Sequence, residues 1–565
     1  MRSDVVRVVI IGGVAAGLKA AAKIRRGNQT AQITVIEKGK LISYGACGMP
    51  YYVGGDIDDV RQLMMTPSGN VRNAEFFKKV KDIDVKTETL ATHIDRVAKT
   101  VTVKNLVTNE ESILPYDKLV IATGASPVKP KLPGIELANI YQMWHPLDAE
   151  AVRQGLERGK FNSGVIIGAG LVGMEMAEAL RNWGIDVTVI EMKDQVFPAF
   201  LDPEVAAAVA KYANEHGINI LTGEKVIKFN GDSCVSEVVT DKRTIAADLV
   251  ILSIGVKPNV ELARQAGLAI GETGAISVNE YLETSDSDIY AGGDCVENTN
   301  LVSGRKVFAP MGSTANKHGR IIGENICGTR VKFRGVLNTV AVKLIDLNVG
   351  KVGLTEREVK QLGYEYVTVT TSGHDKPHYM PDVKSLSIKL IVETKTRRIL
   401  GAQAFGEGDV TKRIDVIATV LTLGGTIDDL FAIDLSYAPP YNGPIDNAAI
   451  AANVVMNKIA GKMIGISALD AKKQMDAGDA IFLDVRSPEE MKKIRISECR
   501  GLKNIPLGQL RSRSGEIDKD HEVIAICKIG LRGYEASIIL QGQGFENVKV
   551  LEGGITAWPF KCDAD

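Results

Sequence analysis

The sequence predicts an α/β protein built around parallel sheets with helices on both faces, and three observations carry that reading. Twice, a short apolar run turns through a glycine-rich segment into a helix, and an apolar run follows that ends in a glutamate. The length, 565 residues, suits roughly three to four domains, each large enough to bury its own core. Lys+Arg number 68 and Asp+Glu 69, a net charge of −1, so no global field recruits nucleic acid or a charged membrane surface.

The elements follow in chain order. Val5–Ile11 is an apolar run of the kind expected of a strand buried on both sheet faces. It turns through Gly12-Gly13-Val14-Ala15-Ala16-Gly17 into a helix from about Leu18 to Arg26, and the strand Ile33–Ile36 ends in Glu37. That glutamate stands where a carboxylate can accept from a ribose hydroxyl, and the small turn residues let backbone approach a pyrophosphate at the helix N-terminus. Val14 takes the place of the middle glycine of the G-x-G-x-x-G pattern. A second copy is complete: Val165-Ile166-Ile167-Gly168-Ala169-Gly170-Leu171-Val172-Gly173-Met174-Glu175, then Val187–Ile190 and Glu191. Two such folds imply two dinucleotides. Leu119-Val120-Ile121-Ala122-Thr123-Gly124 reads as a strand with a Thr-Gly turn, and Ile289-Tyr290-Ala291-Gly292-Gly293-Asp294 as a strand ending on a carboxylate.

These four segments, in this order, resemble the flavoprotein disulfide reductases with two dinucleotide-binding domains. The resemblance implies FAD on the first fold, with Gly12, Val14, Gly17, Glu37, Thr123, Gly124 and Asp294 around it and Asp294 on the ribityl chain. It implies NAD(P)H on the second, with Gly168, Gly170, Gly173, Glu191 and Gly255. Beyond Val331, strand-like runs (Thr339–Ile345, Val367–Thr371, Ser385–Val392) and a helical stretch near Thr411–Leu423 match that family's interface domain and imply a homodimer. A polar passage, Asn457-Lys458-Ile459-Ala460-Gly461-Lys462, precedes a last unit. There Ile481–Glu490, Val523-Ile524-Ala525-Ile526-Cys527 and Leu551-Glu552-Gly553-Gly554 resemble a rhodanese domain. The expected fold is therefore α/β: two Rossmann-like dinucleotide-binding domains, an α+β dimerisation domain and a C-terminal α/β rhodanese domain. The expected bounds are 1–122 with 250–328 (FAD), 123–249 (NAD(P)H), 329–456 (dimerisation) and 464–565 (rhodanese).

Two cysteines carry the expected chemistry. Cys47 lies in Ser43-Tyr44-Gly45-Ala46-Cys47-Gly48-Met49-Pro50-Tyr51-Tyr52, without a second cysteine four residues away. The peptide resembles the single-cysteine branch, where S-F-x-x-C-G-x-P-Y is typical and Tyr44 here replaces Phe. A lone cysteine beside a flavin cycles either as a sulfenic acid or as a mixed disulfide with a small thiol. His378-Tyr379-Met380-Pro381 and Leu435-Ser436-Tyr437-Ala438-Pro439-Pro440-Tyr441 look like the segments that supply active-site tyrosines in coenzyme A disulfide reductases. Tyr379 and Tyr437 are carried over as groups that stabilise or protonate the departing thiolate from the partner subunit. Lys19, Lys23 and Arg26 share one helix face that could meet coenzyme A phosphates, and Ser43 joins them as a substrate contact.

Cys527 opens the loop Cys527-Lys528-Ile529-Gly530-Leu531-Arg532-Gly533. Lys528, Arg532 and a helix starting at Gly533 should favour an anionic persulfide on it. Rhodanese domains usually read G-H-I-x-G-A-x-N-I-P upstream, and Ile494–Pro506 lacks the histidine. The other five cysteines (Cys234, Cys295, Cys327, Cys499, Cys562) show no paired spacing, which speaks against a disulfide scaffold or a metal site and for a reducing compartment. No secretory leader is legible at the start and no run reaches the ~18 apolar residues of a membrane span, so a cytoplasmic protein without membrane insertion is expected.

The whole chain resembles coenzyme A disulfide reductase–rhodanese fusions, some of which act as NADH-dependent persulfide or polysulfide reductases. That resemblance implies FAD, NADH (with NADPH open) and coenzyme A, and small-molecule sulfur substrates reduced to hydrogen sulfide. The alternatives are coenzyme A disulfide reduction alone, an NADH oxidase or peroxidase using a Cys47 sulfenic acid, and a redox-sensing or sulfur-carrier protein.

Overall fold

The computed structural model describes residues 5–564. The reading of the first four residues as leaderless lies outside them. The chain divides into two compact units. One takes in the chain up to Gly168, Val172–Ile190 and Lys225–Val336; the other Ala169–Leu171, Glu191–Glu224 and everything from Leu337.

In the first unit β1 (Arg7–Ile11), α1 (Ala16–Gly27), β2 (Gln32–Ile36) and α2 (Met49–Gly54) open the chain. There follow β3 (Asp84–Lys86), β4 (Lys118–Ile121), α3 (Pro146–Glu157), β5 (Ser163–Ile167), α4 (Leu171–Arg181), β6 (Asp186–Glu191), β7 (Leu249–Leu252), β8 (Ile289–Ala291) and α5 (Gly312–Ile326). A parallel sheet runs β8-β4-β1-β2-β3, with Ile10 opposite Val35 and Val120. β1 is central and covered on both faces, so Val8, Val9, Ile10 and Ile11 are all buried, as an apolar run without alternation requires. A second sheet repeats the arrangement, with β5 between β6 and β7 in parallel register. β1 starts two residues later than the apolar run suggests, and α1 begins at Ala16 rather than Leu18.

In the second unit an antiparallel sheet of β9 (Val340–Leu344), β10 (Leu347–Gly353), β11 (Tyr366–His374), β12 (Ser385–Glu393) and β13 (Ile399–Gly406) runs β9-β10-β13-β12-β11. The helices α6 (Val410–Thr422) and α7 (Asn447–Ile459) pack on it. The approach of α6 is close: a Cβ on Gly350 of β10 would lie 2.7 Å from Ile414. Lys389 of β12 is 1 % exposed and ringed by Glu204 (2.5 Å), Glu356 (2.6 Å) and Asp202 (3.0 Å). Burial works against its charge, and the three carboxylates outweigh burial.

The C-terminal part is a five-stranded parallel sheet of β14 (Gly465–Ile466), β15 (Ala480–Asp484), β16 (Leu502–Asn504), β17 (Glu522–Ile526) and β18 (Val548–Leu551), in the order β14-β18-β17-β15-β16. Its side chains alternate between two cores: Phe482, Ile524 and Ile526 enter one, and Leu483, Val523, Ala525 and Cys527 the other. The polar passage expected from Asn457 to Lys462 is not an extended linker. Its first three residues end α7, and Gly461 follows with φ +70°.

Candidate active site

The two glycine turns have the same construction. Gly12 (φ +114°) and Gly168 (φ +102°) hold conformations that a side chain resists, and a Cβ there would sit 2.0 Å from the Ala122 oxygen and 2.2 Å from the Ser253 oxygen. Gly17 and Gly173 let each helix press on its own turn, where a Cβ would fall 1.9 Å from the Gly12 oxygen and 2.0 Å from the Gly168 oxygen. Gly170 faces open space, as a backbone that approaches a pyrophosphate must. Glu37 braces the first turn, accepting from the Gly13 and Gly39 N–H groups at 2.8 Å each. In the second unit Glu191 does the same, accepting from Ala169 and Lys193 N–H groups at 2.9 Å each. Each carboxylate keeps lone pairs for ribose hydroxyls.

Thr123 Oγ1 donates to the Asn259 carbonyl (2.7 Å), whose N–H donates to the Gly124 oxygen (3.0 Å). Gly255 has φ +101° and open space at its Cβ position. Asp294 follows β8; burial pushes its carboxyl up to about 6, and it takes no hydrogen bond among the described residues. The open space at Gly170 and Gly255, the two carboxylate-braced turns and the half-buried Asp294 carboxyl together fit a bound dinucleotide.

Cys47 sits in a 3₁₀ turn, Ala46–Gly48, directly before α2, and is exposed. Desolvation by the surrounding walls, then Glu175 of α4 and Asp294, push its thiol up. Glu175 itself is raised to about 7 by burial and by Glu178. Sequence reasoning passed over Glu175, although its position two residues after Gly173 was the available signal. Ser43 is buried with φ +54°, its N–H held by the Gly13 oxygen (2.9 Å). The cationic face of α1 is partly engaged within the first unit. Lys23 pairs with Glu324 (2.7 Å), and Gly319 and Gly323 of α5 pack on the Cβ atoms of Lys19 and Lys23, while Lys19 and Arg26 stay exposed.

In the second unit Tyr379 and Tyr437 are 63 % and 52 % exposed. Cys527 directly follows β17 and is 1 % exposed, with the Gly530 N–H directed at its sulfur (3.1 Å). α8 (Leu531–Gly542) starts two residues before the expected Gly533, which puts Arg532 in its first turn. Arg532 is not free to face the sulfur alone, because both its terminal nitrogens donate to Glu490 at 2.7 Å. That pairing brings Glu490 down to about 2. Glu490 in turn closes a capping box with Ser487, an S-x-x-E pattern that was legible in the sequence but carried no expected role. The Leu551–Gly554 motif clamps the loop from the other side: Ile555 and Thr556 N–H groups donate to the Cys527 and Lys528 oxygens at 3.0 Å. Glu552 anchors the clamp on the antiparallel sheet, accepting from Thr370 N–H (2.9 Å) and Lys458 Nζ.

Comparison with known proteins places this geometry. Residues 6–313 match the pyridine nucleotide-disulphide oxidoreductase family, 339–449 its dimerisation domain, and 467–560 the rhodanese-like domain. A coenzyme A-dependent NAD(P)H sulfur oxidoreductase of Pyrococcus abyssi is 38 % identical over 448 residues, 79 % of this chain and 98 % of that protein. The structure of a NAD-dependent persulfide reductase from A. fulgidus superposes with a TM-score of 0.93 at 48 % identity, covering 98 % of this chain and 100 % of the other. The reduced CoADR-RHD of Bacillus anthracis follows with 0.91 and 34 %, covering 99 % and 98 %. The repeated glycine turns, the lone cysteine before α2 and these alignments lead to one conclusion: the chain belongs to the pyridine nucleotide-disulphide oxidoreductase family, extended by a rhodanese-like domain.

Proposed function

We propose that this protein uses NAD(P)H to reduce coenzyme A persulfide, polysulfide and coenzyme A disulfide, releasing hydrogen sulfide from the first two, and that its rhodanese domain transfers sulfane sulfur. The observation that carries the reading is Cys47, an exposed thiol with no cysteine partner among the described residues, in the unit that holds the first glycine turn. A thiol so placed is oxidised by joining an incoming sulfur compound. FAD on the first turn (1–122 and 250–328) and NAD(P)H on the second (123–249) would supply a two-electron path to sulfur.

The chain's own groups then act in sequence. Cys47, as the thiolate, attacks the coenzyme A sulfur of a persulfide; hydrosulfide leaves and a Cys47–coenzyme A disulfide forms. Two electrons and one proton open that disulfide to free coenzyme A and the Cys47 thiolate. Glu175, raised to about 7, is suited to hold and return the proton near neutral pH. Tyr379 and Tyr437, exposed on the dimerisation domain (329–456), assist thiol departure from the partner subunit of a homodimer. Cys527 of the rhodanese domain (464–565) accepts sulfur from donors and passes it to coenzyme A.

Glu191 favours NADH over NADPH. Among the described residues no helix is long and apolar enough to cross a membrane, and seven free thiols suit the cytoplasm. Cys47→Ser tests the reading: FAD stays bound, and NADH-dependent sulfide release from coenzyme A persulfide disappears. Cys527→Ser spares that reaction and loses thiosulfate sulfurtransfer. Persulfide turnover by Cys47→Ser at the wild-type rate, or peroxide and water as the products of the wild type, would overturn it.

A further inference from the structure

We infer that Arg153 and Trp183 are positioning residues for Cys47: they hold the C-terminal end of α2 and so fix the thiol turn at its other end beside Glu175 of α4. α2 has only six residues, too few to stay helical without tertiary support. The carbonyls of Tyr51, Tyr52 and Val53 are engaged. Tyr51 accepts from Gly55, Asp56 and Ile57 N–H groups. Tyr52 accepts from Arg153 Nη1 (2.9 Å) and Val53 from Trp183 Nε1 (2.8 Å).

Both donors come from elements outside the Cys47 segment. Arg153 lies on α3, fixed through Nε to Glu157 (2.7 Å), with its guanidinium 4.7 Å from the Trp183 ring centroid and 5.8 Å from that of Tyr52. Trp183 lies two residues past the end of α4. Gly54 closes the contact, since a Cβ there would already touch Ala179 of α4 at 3.4 Å. A cation at a helix C-terminus also opposes the helix dipole favourably. The clamp therefore ties α2 to α4, the helix that carries Glu175. The groups facing the thiol are Glu175 of α4, Asp294 after β8 and Tyr51 of α2 itself.

The inference rests on Cys47 as the reacting thiol, and alkylation reads the placement of that thiol without turnover. The pH midpoint of Cys47 carboxamidomethylation is measured by mass spectrometry on the full-length flavoprotein, with and without Glu175→Gln. In the wild-type background Glu175→Gln lowers the midpoint, because it removes a carboxylate that opposes the thiolate. In Trp183→Phe and in Arg153→Met the same substitution lowers it by half as much or less. Arg153→Lys, which keeps the cation, restores part of the difference. FAD content is measured on each variant. Should either disruptive variant lose FAD, Arg153→Lys carries the comparison. A displacement by Glu175→Gln that is equal in every background overturns the inference, whereas persistent turnover in Cys47→Ser overturns only the functional reading.

Discussion

Replacing Glu490 by Gln probes how the Cys527 loop is held. In the wild type both oxygens of Glu490 take hydrogen bonds from Arg532 at 2.7 Å, and the carboxyl is lowered from 4.5 to about 2, chiefly by that pairing. At about 1.4 kcal/mol for each pH unit, the pairing is worth at most ~3.5 kcal/mol. Arg532 and Glu490 are 34 % and 36 % exposed, so solvent screening reduces the figure to roughly 1 kcal/mol. That corresponds to about fivefold in an equilibrium that depends on a fixed Arg532. Glu490→Gln is therefore expected to lower kcat/KM for thiosulfate sulfurtransfer about fivefold and to leave coenzyme A disulfide reduction within a factor of two. The pH dependence follows from the direction of the shift. A carboxyl lowered on folding contributes fully above 4.5 and loses its contribution only as pH falls toward 2. The ratio of variant to wild type should thus be constant between pH 6 and 9. An unchanged sulfurtransfer rate, an equal loss in both assays, or a ratio that drifts across that range would refute the reasoning.

Three further outcomes are expected. In the proposed NAD(P)H site the buried Glu191 carboxylate would oppose a 2′-phosphate, so specificity constants should favour NADH over NADPH by about 1 kcal/mol or more, roughly fivefold; equal constants would assign the site to Lys193. Stopped-flow experiments on Tyr379→Phe and Tyr437→Phe should show slower thiol release with unaltered flavin reduction, and wild-type turnover would return both side chains to a packing role. Lys389→Met leaves Asp202, Glu204 and Glu356 without their shared cation. Chemical denaturation should then show a loss of about 3–5 kcal/mol, and a loss under 1 kcal/mol would mean that the three carboxylates are solvated or protonated without it.

The sequence by itself determined the two dinucleotide folds, because a glycine turn between a buried strand and a helix is a local requirement. Gly12, Gly17, Gly168 and Gly173 meet backbone oxygens within a few residues or on the adjacent strand, and no distant partner is needed to predict them. The strand before Cys527 was legible for the same reason. Less of the antiparallel sheet was legible. Leu347–Gly353 holds two glycines and Ile399–Gly406 two glycines and two alanines, and each is buried at all but one position, so neither shows the alternation of a recognisable strand. Their glycines admit α6 and a neighbouring backbone, which only the folded sheet reveals. The site divides along the same line. Cys47 and Cys527 are marked by their local peptides. The carboxylate acting on Cys47 lies 128 positions along the chain, the partner of Arg532 lies 42 positions away, and the anchor between Lys458 and Glu552 spans 94. Such pairings arise from sheet order and helix packing, and charge type alone does not select them among 137 ionic side chains (68 + 69). Tertiary structure also decided that the lysines of α1 pack against α5, since a cationic stripe at helical spacing reads the same whether it meets a ligand, a carboxylate or water.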